Sequence, residues 1–305
     1  MYMSAKEAAE KWGISERRVR ILCSEGRVDG VIRTSWAWNI PVNTPKPGDG
    51  RQLRHMKNHD LRIGGMDFSL LDEQKKAIAK IDDIQRFLPV YKRLVSHFIL
   101  SAFSADDLML QAQDIAVLCN NSFVPSMQFE SQLLVLNLRT ILMRMLVQFG
   151  LGPIRSKGHI AMSEMRLSQL YQMLTQGIDD AGFLEYRTIE DELNQKTPTI
   201  KAQMETLFVQ YERDWLYLHP VVRAIFLYGE LLRIRPYGRW DGLVAALALA
   251  QELLSGGFPP ALVDAQRKDE FKAAMIMTRS RGNYQNALRM LEQMLLFECH
   301  QLLGV

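Results

Sequence analysis

Residues 219–260, HPVVRAIFLYGELLRIRPYGRWDGLVAALALAQELLSGGFPP, constrain this chain more than any other stretch. The apolar runs predict a helix over 221–234 and a second over 243–255, which Gly256 and Gly257 end. Between them lies a short loop, 235–242. A tight loop that opens a buried helix leaves backbone N–H groups without partners at the helix start. Such a place favours an anion, for instance a phosphate.

A length of 305 residues suggests two or three structural units, and a hydrophobic share of 48% supports a sizeable core. The formal charge of +3 does not by itself imply a nucleic-acid partner. No run of eighteen apolar residues occurs, so no membrane span is expected. The first ten residues are mixed and polar, without the basic-then-apolar order of a secretion signal. Cys23, Cys119 and Cys299 are far apart and lack CxxC spacing, which predicts reduced thiols and a cytoplasmic protein. The six histidines form no HxxH or HExxH pair, and no metal site is expected.

The N-terminal fifth, 1–51, reads as a separate domain. Ser4 and Glu7 have capping-box spacing, Ala8, Ala9 and Trp12 share one helical face, and Gly13 breaks the helix. Ser15 caps a second helix, which Gly26 closes. Residues 28–32 and 36–40 pair as a hairpin. A Pro/Gly-rich stretch, 41–50, and a basic linker, 52–66, follow. The segment from Tyr2 to Pro41 resembles excisionase-type winged helix-turn-helix domains, relatives of the MerR DNA-binding head. That resemblance implies double-stranded DNA as partner. On the second helix Arg17, Arg18 and Arg20 lie on or beside the outer face, where they could reach bases or phosphates, and Arg33 near the wing could touch the backbone. A surface of ordinary solvated arginines, or a protein-docking module, is the competing reading.

From Asp67 onward, 67–305, the period is helical. Pro89 is expected to interrupt the first long stretch, and Ser104-Ala105-Asp106-Asp107 to start another helix. After Ser131 a long apolar helix is expected, running to Phe149. After Pro260 two amphipathic helices are split at 281–283, with Met275, Met277, Met290 and Met294 as core filler.

The loop and its frame resemble the Fic/Doc family, whose members transfer AMP, or occasionally another phosphate-containing group, onto a protein hydroxyl. The family signature is H-P-F-x-[DE]-G-N-[GK]-R between two buried helices. His219-Pro220 upstream, Gly257-Phe258-Pro259-Pro260 downstream and Tyr186-Arg187-Thr188 match elements of its frame. Inside the loop the chemistry departs. Arg235 stands at the proton-accepting histidine, and a guanidinium cannot serve as a general base. Pro236 and Tyr237 keep the packing element. Arg239 replaces the acid that holds Mg²⁺, and Trp240 replaces a glycine that lets backbone approach phosphate. Asp241 replaces the asparagine and is expected to cap the next helix. Gly242 is kept, and Leu243 replaces the phosphate-clamping arginine. Ser126 and Glu130 have the S-x-x-x-E spacing of the family's inhibitory motif, and Glu130 could meet Arg235 or Arg239. Any flap hairpin would be small, within 189–200.

The resemblances imply a mainly α protein: an N-terminal winged helix-turn-helix and an all-helical Fic-like domain with at most a small β-hairpin flap. Its expected role is DNA-binding regulation, with AMP transfer lost and the Fic-like domain used in dimerisation, docking of an unidentified protein partner or ligand sensing. No cofactor is then expected. Retained anion or nucleotide binding would use Arg235, Arg239 and Gly242. The alternative is AMP transfer from a rearranged site, with ATP and Mg²⁺ as cofactors.

Overall fold

The computed structural model describes residues 2–24, 28, 31–34, 37–44, 46, 66–108, 110–154, 160–178, 186–187, 199–281 and 283–304. Several expectations lie outside them: the Gly26 helix end, half of the Pro/Gly-rich stretch, the linker arginines, Thr188, Gly282 and the flap at 189–198. Two compact units are distinguished. One comprises Met1–His59 with Tyr186–Gln203, the other Asp60–Glu185 with Met204–Val305.

In the smaller unit β1 (Tyr2–Ser4) leads into α1 (Ala5–Trp12) and α2 (Glu16–Ser24), followed by β2 (Ile32–Thr34) and β3 (Ala37–Pro41). The capping box forms: Ser4 Oγ accepts from the Glu7 N–H at 3.3 Å, and the Glu7 carboxylate accepts from Ser4 N–H at 2.6 Å. Gly13 takes the left-handed conformation, φ 63°, that ends α1. Trp12, Val19, Leu22, Cys23 and Ile40 close a small core. The hairpin forms about a register of Arg33 with Trp38, starting four residues later than the pattern suggested. The sheet order is β1-β3-β2. Strand β1 gives no sequence signal, because three residues are too few to show alternation.

The larger unit is helical. Its described helices are α3 (Ser69–Ile78), α4 (Ile84–Ala105), α5 (Ala112–Cys119), α6 (Phe129–Phe149), α7 (Glu164–Leu174), α9 (Pro220–Ile234), α10 (Asp241–Ser255), α11 (Lys268–Arg281) and α12 (Gln285–Leu303). Helix α8 (Ile200–Gln210) precedes a π-helical turn, Tyr211–Trp215. Helices α9 and α10 pack on each other, and α10 is buried almost along its whole length. Helices α4, α6 and α7 pack against α10, and α12 packs against α9. Helix α6 is long and apolar enough to cross a membrane by length and composition, and half of that window is buried inside the fold.

Two helix boundaries correct the sequence reading. Pro89 does not interrupt a helix; it lies within α4. The break falls earlier, where Asp83 caps α4 by accepting from the N–H groups of Gln85 and Arg86. A proline in the second helical turn costs one hydrogen bond, and the apolar face beyond it outweighs that loss. Residues 104–107 end a helix instead of starting one. Asp107 takes φ 60°, Asp107 N–H bonds Ser104 O, and Leu108 N–H bonds Phe103 O. These are the paired bonds of a Schellman stop, with an aspartate in the place glycine usually fills.

Candidate functional site

Helix α9 ends on Arg235, φ 50°, and α10 starts after Trp240, φ 55°, with Gly238 at φ 80° between them. Three left-handed residues in six turn the chain sharply, and two of them carry large side chains that disfavour this conformation. Packing holds the loop in place. Tyr237 stacks on Tyr171 at 4.0 Å between ring centroids. Trp240 is buried, and Leu243 is fully so. Burial pushes the Tyr237 hydroxyl up to about 12.

Asp241 is not the cap of α10. Trp240 holds that position, and Asp241 Oδ1 turns back to accept from Tyr237 N–H at 2.9 Å. Its carboxylate is buried, with Oδ2 3.9 Å from Arg235 Nε. The Arg235 guanidinium also donates to Gly238 O at 3.3 Å. Arg239 forms an ion pair with Glu130, at the start of α6, and stacks over the Trp240 ring at 4.0 Å. One guanidinium thus braces the loop and the other ties it to α6. Ser126 lies in the turn before α6.

A side chain that the sequence did not suggest packs against the start of α10. A Cβ placed on Gly242 would lie 2.2 Å from Asp106 Oδ1 and 2.5 Å from its Cγ. Asp106 is the C-cap of α4, so the negative end of one helix and a carboxylate abut the positive end of another. Burial and the neighbouring Asp241 charge raise the Asp106 carboxyl to about 6, opposed by Arg235 and Lys272. Lys272 and Lys268 on α11 hold Asp107, at 2.5 and 3.7 Å. No local pattern could have marked Asp106, because its role depends on contact with a helix that begins 135 positions later in the chain.

His219 caps α9. Its Nδ1 accepts from Val221 N–H at 3.3 Å, its ring stacks on Phe68 at 4.3 Å, and Nε2 lies 3.5 Å from Asp72 Oδ1. An accepting Nδ1 fixes the proton on Nε2 in the neutral ring. Burial lowers the pKa of His219. At the end of the helix pair remote from the loop, Arg223 and Glu252 form a buried ion pair. Tyr211 donates to Glu252 at 2.6 Å, and Arg223 also donates to Leu216 O and Leu218 O. Charged residues within the runs VVRAIF and ALAQELL were the signal for this network. Among the described residues no cluster of three or more His, Cys, Asp or Glu side chains is placed to hold a metal ion.

On the smaller unit Arg17 and Arg20 are exposed on α2 and Arg18 is half-buried. Arg20 is paired with Glu16 at 2.5 Å. Arg33 is placed in β2 by its backbone alone.

No protein-family profile matches the sequence, and no curated protein matches it. Solved structures do. Fic-1 from C. elegans, residues 134–508, superposes with a TM-score of 0.63 at 16% identity, over 83% of this chain and 73% of that one. A Fic domain containing signaling protein from Bacteroides thetaiotaomicron gives 0.63 at 13% identity, over 81% and 98%. A Fic family protein from Desulfovibrio desulfuricans gives 0.51 at 16%, over 76% and 71%. The chain therefore has a mainly helical, Fic-like fold.

Proposed function

We propose that this chain is a DNA-binding regulator whose Fic-like domain has lost AMP transfer. The observation that carries the reading is Asp106 against Gly242. The start of a buried helix at this loop is suited to phosphate. Asp106 packs against Gly242 beside that helix start, with Asp241 near it, so a triphosphate brought there would meet two carboxylates. The resemblance to the family signature adds the missing parts. Arg235 replaces the base, Arg239 replaces the acid that would hold Mg²⁺, and Leu243 replaces the phosphate clamp. A cation at the metal-ligand position does not fit Mg²⁺. Arg239 is also spent on Glu130.

DNA binding is proposed for residues 1–51, from the arrangement of α1, α2 and the β2–β3 hairpin together with Arg17, Arg18, Arg20 and Arg33. In this reading 52–66 is a basic linker and 67–305 the regulatory domain, which serves in dimerisation, docking or sensing. Of the α2 arginines, Arg17 is the exposed one without a carboxylate neighbour among the described residues, so it contributes most to phosphate or base contact. The test is a mobility shift against a random duplex library, followed by Arg17→Ala/Arg20→Ala. Enrichment of a sequence, lost in the variant, supports the reading; no retarded duplex at low salt removes it.

The alternative, AMP transfer from a rearranged site, needs a base at the loop. Burial raises the Asp106 carboxyl to about 6, but this carboxylate packs against Gly242 at the helix start and would repel the phosphate. His219 is committed through Nδ1 to the α9 cap. Labelled ATP with Mg²⁺ and a cell lysate tests this: transfer of label that is lost in Asp106→Asn would restore the enzyme.

A further inference from the structure

The outer face of α6 carries a strip whose apolar side chains, Met143 and Val147, are left exposed. Arg139, Thr140, Met143, Arg144, Val147 and Gln148 line a shallow cavity of about 550 Å³. Met143 and Val147 on its floor are 38% and 52% exposed, which is unusual for apolar side chains on a helix whose other face is core. The strip continues along α6, with the polar Thr140 among its apolar residues. Leu136, Thr140, Met143 and Val147 recur at spacings of four, three and four, the seam that a partner helix packs into.

The charges on the strip say what kind of helix. Among the described residues Arg139 donates to Leu118 O and Asn121 Oδ1, and Arg144 to Met173 Sδ. Neither has a carboxylate within ion-pair distance among the described residues. Several arginines on this unit do find acids, as Arg223 does in Glu252, Arg233 in Glu230 and Arg267 in Glu270, while Arg86 and Arg166 bond a carbonyl and two amides. A second copy of α6 is a poor occupant. Laid antiparallel with Met143 on Leu133, it brings the two Arg139 side chains together near the axis. Laid parallel, it sets Arg139 against Arg144 across the seam.

We infer that this strip docks an acidic amphipathic helix of another protein, with apolar residues at three- and four-residue spacing and carboxylates flanking them. Met143 and Val147 take the apolar anchors; Arg139 and Arg144 pair with the flanking acids. Methionine adapts its shape to the anchor it receives. The inference does not depend on whether the loop is catalytic.

Two fluorescent peptides test it on the full chain. They share leucines at the seam positions and differ in carrying glutamates or lysines beside them. The glutamate peptide is expected to bind at least about tenfold more tightly, with affinity falling as salt rises. Arg139→Glu/Arg144→Glu should reverse the preference, and that gain for the lysine peptide shows the variant is folded. Met143→Glu should weaken both. Equal binding of the two peptides, binding of neither, or preference for vesicles of anionic phospholipid over the glutamate peptide overturns the proposal. So does a dimer in light scattering that Met143→Glu dissolves.

Discussion

A single carboxylate decides how the loop is read. Asp106 is buried enough to raise its carboxyl from 3.8 to about 6. An acid whose pKa rises on folding holds its proton more tightly in the native state. Its ionisation therefore costs stability: the native state is favoured below pH 3.8, loses ground as pH rises through about 6, and is flat above. Asp106→Asn removes that dependence. In urea titrations it should gain on the order of 1–2 kcal/mol over wild type at pH 7.5, with the gain shrinking toward pH 4. A constant difference across this range would show that the carboxylate is not strained by its neighbours. Gly242 is the other half of the contact. Gly242→Ala should cost roughly 2 kcal/mol, from a Cβ forced onto Asp106. Much of that loss should return in the Asp106→Ala background, and simple additivity in the double-mutant cycle would mean the two do not meet.

At the scale of helices, two charged contacts pin elements far apart in the chain. Arg223 on α9 and Glu252 on α10 lie in the interface between the two central helices, both almost fully buried. Removing one partner strands the other, so Arg223→Ala should cost about 3–5 kcal/mol in chemical denaturation. A loss under 1 kcal/mol would mean water reaches the pair. His97 on α4 lies 2.5 Å from Glu298 on α12 and 3.3 Å from Asp264, which caps the short 3₁₀ turn Ala265–Arg267. The hydrogen bond to Glu298 raises the His97 pKa against the opposing effect of burial. This contribution is fully present below the unfolded value of 6.5 and is lost as pH rises through the folded one. His97→Gln should flatten the fall in melting temperature above pH 6.5; an unchanged slope would free His97 of this role. Helix existence was legible from the sequence, because apolar periodicity reports a buried face directly. The ends were less so. Residues 104–107 look like a cap, yet the same residue types can close a helix when an aspartate accepts the left-handed conformation. Asp241 looked like a cap for a similar reason, and its carboxylate found the Tyr237 N–H instead.

Across the whole molecule the sequence carried the frame of the site better than its contents. His219-Pro220, the two apolar runs and Gly257-Phe258-Pro259-Pro260 belong to continuous stretches, so their spacing could be read. The pairing of Arg239 with Glu130 was open between two arginines until the helices were placed. Asp106 had no signal at all, because tertiary contact alone brings it to α10. The central claim is that the chain's own carboxylates, Asp106 and Asp241, keep phosphate from this loop. Calorimetric titration of the full chain with ATP and Mg²⁺ at neutral pH tests it most directly. The account predicts no saturable heat up to millimolar nucleotide. A one-to-one isotherm in the micromolar range, abolished by Arg235→Ala, would contradict it.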